Sequence, residues 1–462
     1  MKSKLIVKNF GPIESATLNL RNVNVLIGPQ ASGKSTLAKL YTICKSPILF
    51  HNLKNNKFPN YNFFDNDTIK SELFDASFQK FKDSLNFYSI ADFYNSKSEI
   101  EFDCQTHYLH IKNSKIVFKD KFEISKVIDA FESGDKVETL KFFNDLRNKS
   151  ENFNSRFTFN LFYSKNSQLL KNGLDSWVEK FNEFRKNINK VETLSDYETK
   201  KLLASIKNLK SEIFNNNVLY IPSERTIVGL LKQAALNFSN LSIPIPKHLL
   251  DYAAKYNSAT YDIKQFDLSF IKEGCVYKNI KGDDYIYYSQ KKRIKLSESA
   301  SGIQSVIPIL LPIINKKSGD FFNDSQYSFV IEEPETNLFP KAQYELLKYL
   351  EKNRKDDFGK IDKGIIHTYT THSPFILSSL NNMLYAYKKG NLANQIVKDK
   401  INKILEQNNW INPDDFSAYQ IVDGKAKSIM DRKTGLIKEN VIDYVSELIV
   451  EDFREIALAS IE

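Results

Sequence analysis

The stretch NVLIGPQASGKSTLAKLY, residues 24–41, leaves this chain few ways to fold. Apolar residues run up to Ile27, and Ser35 to Tyr41 begin a helical pattern, so the segment reads strand, loop, helix. The loop Gly28-Pro29-Gln30-Ala31-Ser32-Gly33-Lys34-Ser35 meets G-x-x-x-x-G-K-[ST] without a mismatch. Glycine lets such a loop turn its backbone N–H groups inward, and the helix behind it adds the positive end of its dipole. The product is a cradle for a β-phosphate. Lys34 is expected to bridge the β- and γ-phosphates and Ser35 to ligate Mg²⁺. Thr36 and residues 28–33 complete the expected contact set for ATP. Strand before and helix after also call for an α/β architecture.

A phosphate loop needs a second element to hold the metal from the other side and activate water. FVIEEPETNLFP (329–340) supplies one. Its apolar strand, Phe329 to Ile331, runs into Glu332, Glu333 and Glu335 with no basic residue before Lys341. Carboxylates at the end of a buried strand are costly unless a cation meets them. Glu332 is read as the acid on the Mg²⁺ side, and Glu333 as the general base that polarises the attacking water. Pro334 stops the strand.

Three more segments matter. LSESASGIQSVIPIL (296–310) sets Ser301, Gly302 and Gln304 at the start of an apolar helix, although a serine-rich cap would look the same. GIIHTYTTHSPFILSSL (364–380) reads as a strand ending at Thr371, after which His372-Ser373-Pro374 opens a helix with proline at a permitted early position. His367, inside that strand, reads as packing. KLIVKNFGPIESATLNL (4–20) reads as two strands around a Phe10-Gly11-Pro12 turn.

Taken in this order, the segments resemble the ABC-type ATPases of the OLD/RecF/SMC-like group. The resemblance covers 1–48 and 217–390, about half the chain. It implies a P-loop NTPase of ABC/SMC-head type, α/β in class, with an antiparallel β-subdomain and a helical insertion. It implies ATP and Mg²⁺ as ligands and an ATP-sandwich dimer with composite sites. In such a dimer Ser301, Gly302 and Gln304 of one subunit grip the γ-phosphate held by the other. His372 falls where the group carries its switch histidine, a second catalytic residue beside Glu333. Asn337 and Phe339 stand where the group's EEPE.HLHP pattern has histidines, so no role specific to those histidines carries over. VLYIPSERT (218–226) resembles the group's IPAER-like segment near the nucleotide. That makes Arg225 a candidate phosphate contact, and an ordinary ion pair with Glu224 or a neighbour explains it as well.

The remainder of the chain is less specific. Cys44, Cys104 and Cys275 form no CxxC pair, which points to a reducing cytoplasm and no zinc site. No apolar stretch approaches the ~20 residues of a membrane span, and the start MKSKLIVKNF lacks a signal-peptide apolar region. The net charge of +9 is compatible with DNA and equally with plain solubility. Residues 49–216 are expected as an insertion, with the β-subdomain at about 97–120 and a helical arm at about 168–214. The arm reads either as a partner- or DNA-touching element or as a structural hairpin. Residues 391–462 are expected as an α+β extension, with a hairpin at Asp423-Gly424 and a final helix from about 438. The extension has no D-x-D cluster, and no histidine follows His372, so a nuclease in cis is not expected. Stand-alone heads of this layout resemble the ATPase subunits of anti-phage systems such as PARIS and Septu. The resemblance implies a homodimer or higher homo-oligomer that controls a separate nuclease or toxin, with no membrane. A RecF-like repair ATPase on duplex DNA is the alternative.

Overall fold

The computed structural model describes residues 3–45, 68–104, 107–120, 217–229, 231, 245–289, 292–318, 327–354, 365–392, 394–438, 450, 451 and 454. The expected helical arm at 168–214 and almost all of the expected final helix lie outside the described residues.

An eleven-stranded sheet organises the described chain. Its strands are β1 (Ser3–Phe10), β2 (Ile13–Leu20), β3 (Val23–Ile27), β4 (Glu99–Asp103), β5 (His107–Lys112), β6 (Lys115–Asp120) and β7 (Asn217–Ile221), joined by β12 (Tyr327–Glu332), β13 (Ile366–Thr371), β14 (Phe416–Val422) and β15 (Lys425–Ser428). The spatial order is β6-β5-β4-β1-β2-β15-β14-β3-β13-β12-β7. From β7 through β12, β13 and β3 to β14 every pairing is parallel. The chain therefore leaves β3, β7, β12 and β13 at the same edge of the sheet, where open α/β folds place their ligands. At the other end β1, β2, β4, β5 and β6 pair antiparallel. Residues 97–120 thus extend the main sheet through β1. The expected extension beyond 390 supplies β14, the neighbour of the strand that leads into the phosphate loop.

Burial on both faces explains why β12 carries the continuous apolar run Phe329 to Ile331. Phe329 and Ile331 enter one hydrophobic core and Val330 the other. The core holding Val330 packs the sheet against α1 (Lys34–Lys45) and α2 (Thr68–Phe87). The opposite core packs it against α3 (Lys247–Asp262), α4 (Ser301–Ser318), α5 (Pro340–Asn353) and α6 (Pro374–Leu392). The short α7 (Gln395–Ile404) follows α6. A second, four-stranded antiparallel sheet runs β11 (Arg293–Lys295), β10 (Asp283–Tyr287), β9 (Val276–Ile280), β8 (Gln265–Asp267) and leads into α4. Among the described residues no helix is long and apolar enough to cross a membrane.

His367 is buried as expected, but in a polar cluster. Its Nδ1 lies 3.0 Å from Glu351 Oε1 and 2.9 Å from the Tyr369 hydroxyl. Glu351 also accepts from Arg354 Nε at 2.8 Å. Burial alone would push the Glu351 carboxyl up, but the Arg354 guanidinium and His367 hold it well below the usual carboxylate range.

Helix α4 carries Pro308 and Pro312 in its interior. Pro312 has no N–H to give the carbonyl of Pro308, one turn back. The buried Tyr252 hydroxyl of α3 donates to that carbonyl instead. Tyr252→Phe keeps the ring and orphans the acceptor. It should lower the unfolding free energy by about 1–2 kcal/mol, read as a reduced denaturant midpoint at unchanged slope.

Candidate nucleotide site

The phosphate loop is shaped by two hairpins packed against it. A Cβ on Gly28 would sit 2.2 Å from the carbonyl oxygen of Ile421 in β14. Gly33 has φ +98°, and a Cβ there would meet Ile13 Cδ1 of the β1–β2 turn at 2.4 Å. Glycine is required at both positions, at one by contact and at the other by backbone conformation as well. Lys34 is buried, and its Nζ donates to the carbonyls of Gly28 (2.8 Å) and Pro29 (2.6 Å). Desolvation pulls its pKa down, opposed by the carboxylates of Glu333, Glu335 and Glu332. Pro29, Gln30, Ala31 and Ser35 are exposed along the loop, Ser32 is half-buried, and Thr36 is buried beneath it.

The three acids part ways at the end of β12. Glu332 is 2% exposed, and its Oε1 is buried without a hydrogen-bond partner. Burial pushes its carboxyl above the usual range, while the neighbouring Ser35 and Tyr220 hydroxyls and the Lys39 ammonium pull the other way. A buried carboxylate with an empty acceptor beside the phosphate-loop serine fits a hard cation. Mg²⁺ takes only one or two carboxylates and draws its other ligands from water and phosphate. Among the described residues no cluster of three or more His, Cys, Asp or Glu is built for a metal. Glu332 and Ser35 would hold Mg²⁺, whose charge would offset that of the phosphates.

Glu333 turns out of the strand. Its φ of 41° is left-handed, and its N–H donates to the Thr370 carbonyl at 2.9 Å. Its carboxylate Oε1 lies 3.1 Å from Nε2 of His372, and both side chains keep contact with water, at 35% and 29% exposure. The structure thus brings together the two residues read as catalytic, at the edge that also carries Lys34.

The helix-start segment is joined to this turn from behind. A Cβ on Gly302 would meet the Asn337 carbonyl at 2.8 Å. The Ser305 hydroxyl donates to the Thr336 carbonyl at 2.7 Å. Ser301 is exposed at the start of α4. Gln304 donates to the Ser299 (2.7 Å) and Ser297 (3.2 Å) carbonyls and shapes its own loop. Among the described residues no hydrogen bond or ion pair joins 301–304 to the phosphate loop of the same chain.

Arg225 is the residue the geometry reassigns. It is fully buried, and it donates to the carbonyls of Ser305 (2.9 Å), Pro222 (3.1 Å), Glu332 (2.6 Å) and Glu333 (2.7 Å). Four of its five N–H donors are spent on backbone carbonyls, and Glu224 is not among its partners. It clamps the acidic turn. Sequence reading also passed over two polar residues. Gln343 accepts from the Ser373 hydroxyl at 2.7 Å and donates to the Leu338 carbonyl at 2.9 Å. Glu335 accepts from the main chain of His372 at 2.8 Å. The third acid of the EEPE run was visible in the sequence, but its partner lies on another strand.

A phosphate loop after one strand of a parallel sheet, with a buried acid and a Glu–His pair at the ends of two others, defines a P-loop NTPase of ABC/SMC-head type. The chain belongs to the AAA ATPase domain family, which it matches over residues 1–377, and is an ATPase by class. Among solved structures it is similar to the SMC head domain from Thermotoga maritima, at 9% identity over 93% of this chain and 98% of that chain, with a TM-score of 0.34. It is similar to the Smc head domain bound to the C-terminal domain of ScpA from Pyrococcus furiosus, at 8% identity over 98% and 99% of the two chains, with a TM-score of 0.33. It is also similar to the recombination mediator protein RecF-ATPrS, at 11% identity over 93% and 98%, with a TM-score of 0.29. No curated protein matches the chain.

The Glu332 environment generates a test. Because its carboxyl titrates higher in the fold than in the unfolded chain, the folded state binds more protons there. Stability from this group is therefore present below the usual glutamate range and lost as pH rises through its folded value. Without Mg²⁺ and nucleotide, Glu332→Gln should raise the melting temperature at neutral pH, and the difference should close as pH falls toward the ordinary glutamate pKa. Thermal unfolding across pH checks both signs.

Proposed function

We propose that the protein binds and hydrolyses Mg²⁺–ATP through a nucleotide-dependent dimer. The Glu333–His372 pair carries this reading. A carboxylate held beside an imidazole, both open to water at the mouth of a phosphate loop, can orient a water molecule and take its proton. Lys34 and the loop N–H groups, with Gly28, Gly33 and Ser35, bind the phosphates. His372 fixes the rotamer of Glu333 and meets the charge that develops on the transferring phosphoryl group. Ser301 and Gly302, exposed or half-buried at the start of α4, support completion of the site by a second copy. Phe339, 79% exposed beside the segment that packs on Gly302, offers that copy an apolar contact.

On this reading the ATP-bound dimer is one state of a switch that controls a separate effector, a nuclease or toxin, in anti-phage defence within the cytoplasm. Support for the defence role comes from the resemblance of the IEEPE…THSPF layout. A RecF-like ATPase binding duplex DNA is the second reading, compatible with the net charge of +9. Duplex binding whose affinity falls steeply with salt would select it.

Glu333→Gln is nearly isosteric but cannot take a proton from water. Turnover should fall about 10²–10⁴-fold, the usual worth of a positioned general base, with ATP binding retained and an ATP-dependent gain in mass by light scattering. Lys34→Ala should abolish nucleotide binding, read by equilibrium titration. Mixing Lys34→Ala with Ser301→Arg should restore activity through one intact composite site. No recovery despite demonstrated subunit exchange would argue against the trans arrangement.

A further inference from the structure

We propose that Glu335 is a positioning residue for hydrolysis, the group that sets the His372 imidazole against Glu333. The proposal rests on the hydrolytic reading above and adds a residue to it. Glu332, Glu333 and Glu335 carry carboxylates at the end of β12 and in the turn after it, and the structure gives each a different setting. Glu335 Oε1 accepts from the Thr371 hydroxyl at 2.7 Å and from the His372 backbone N–H at 2.8 Å. Glu333 Oε1 meets the ring of the same histidine at 3.1 Å. One acid thus holds the main chain of His372 while the other holds its side chain.

The latch extends in both directions. While it donates to Glu335, the Thr371 hydroxyl accepts from the Ser373 N–H at 2.9 Å. The Ser373 hydroxyl donates to Gln343 at 2.7 Å and accepts from the Phe375 N–H at 3.2 Å. The crossing from β13 into α6 is therefore tied at 371, 372, 373 and 375, and among the described residues Glu335 is the one acid that holds its main chain. On the other side, the Glu333 carbonyl accepts from the Thr336 N–H at 3.1 Å and the Glu335 carbonyl from the Leu338 N–H at 2.9 Å. Glu335 cannot shift without moving the turn that carries Glu333. Cutting the latch would free the His372 backbone and loosen the 3.1 Å approach. A misplacement of about 1 Å in a catalytic group can cost about 10²-fold in rate.

The latch needs an acceptor oxygen, not a negative charge. The amide oxygen of glutamine supplies that acceptor, with its NH2 group where Oε2 is buried without a partner, and alanine supplies nothing. Glu335→Ala should lower kcat about 10²-fold with ATP affinity changed less than about threefold, because the phosphate contacts are made elsewhere. Glu335→Gln should keep kcat within about fivefold of the wild type. Thr371→Val, which removes one of the two donors, should fall between them, and Thr371→Ser should restore it. Hydrogen exchange of the His372 amide reads the latch without turnover. It should be fast in Glu335→Ala and remain protected in Glu335→Gln. If folded Glu335→Gln is as inactive as Glu335→Ala, the charge itself is used and the positioning role is overturned. The role is equally overturned if the His372 amide stays protected in Glu335→Ala. Absence of ATP hydrolysis in the wild type would sink the hydrolytic reading instead, and amide exchange would still decide whether the latch exists.

Discussion

The guanidinium of Arg225 donates four hydrogen bonds into the space where β7, α4 and the acidic turn meet, and the site geometry hangs on them. Two of the acceptors are the carbonyls of Glu332 and Glu333, so the clamp grips the backbone of both acids. Glu333 is held with a positive φ, a conformation that a side chain larger than glycine enters only when its surroundings insist. The N–H bond to Thr370 and the carbonyl bond to Arg225 supply that insistence from opposite sides. Burial works against the charge on Arg225, and the fields of the Tyr252 hydroxyl and the three glutamates favour it. A buried cation surrounded by carbonyls with carboxylates close by is stable only as a complete set.

The same interaction links two parts of the site with different tasks. Through the Ser305 carbonyl, Arg225 joins the start of α4 to the acidic turn, and the Ser305 hydroxyl repeats the connection at Thr336. A displacement of the Ser301 end of α4 is therefore felt at Glu333. The phosphate loop is under comparable constraint from the opposite side. The β1–β2 turn presses on Gly33, and the main chain of β14 presses on Gly28. The loop is shaped by what packs on it as much as by its own sequence.

Much of this was legible beforehand because its physics is local. A strand, a glycine loop and a helix N-terminus are adjacent in the chain, and so are a buried strand and the acids that end it. The Asp423-Gly424 hairpin was readable for the same reason and lies between β14 and β15. The backbone partners of Arg225 were not legible because its sequence neighbourhood offered Glu224 and, by resemblance, a phosphate. Its actual partners are carbonyls up to 108 residues away, and a carbonyl leaves no mark on the sequence. Glu335 was seen and given no task, since its partners on β13 become neighbours only when that strand pairs in parallel with β12. The chain beyond 390 looked like an appendix, although β14 pairs with β3 and sits in the middle of the sheet.

The sequence by itself determined the class of chemistry. Only particular residue types can cradle phosphate or bear a proton, and those types are recorded directly, as Lys34, Ser35, Glu332, Glu333 and His372. Tertiary structure decided which of these groups face one another and which residues hold them there. Parallel pairing brings the ends of β3, β12 and β13 to one edge, and long-range packing alone sets Arg225 against the backbone. The division follows from range. Side-chain chemistry belongs to a single residue, whereas register, burial and hydrogen bonding to the main chain come into being only when distant segments meet.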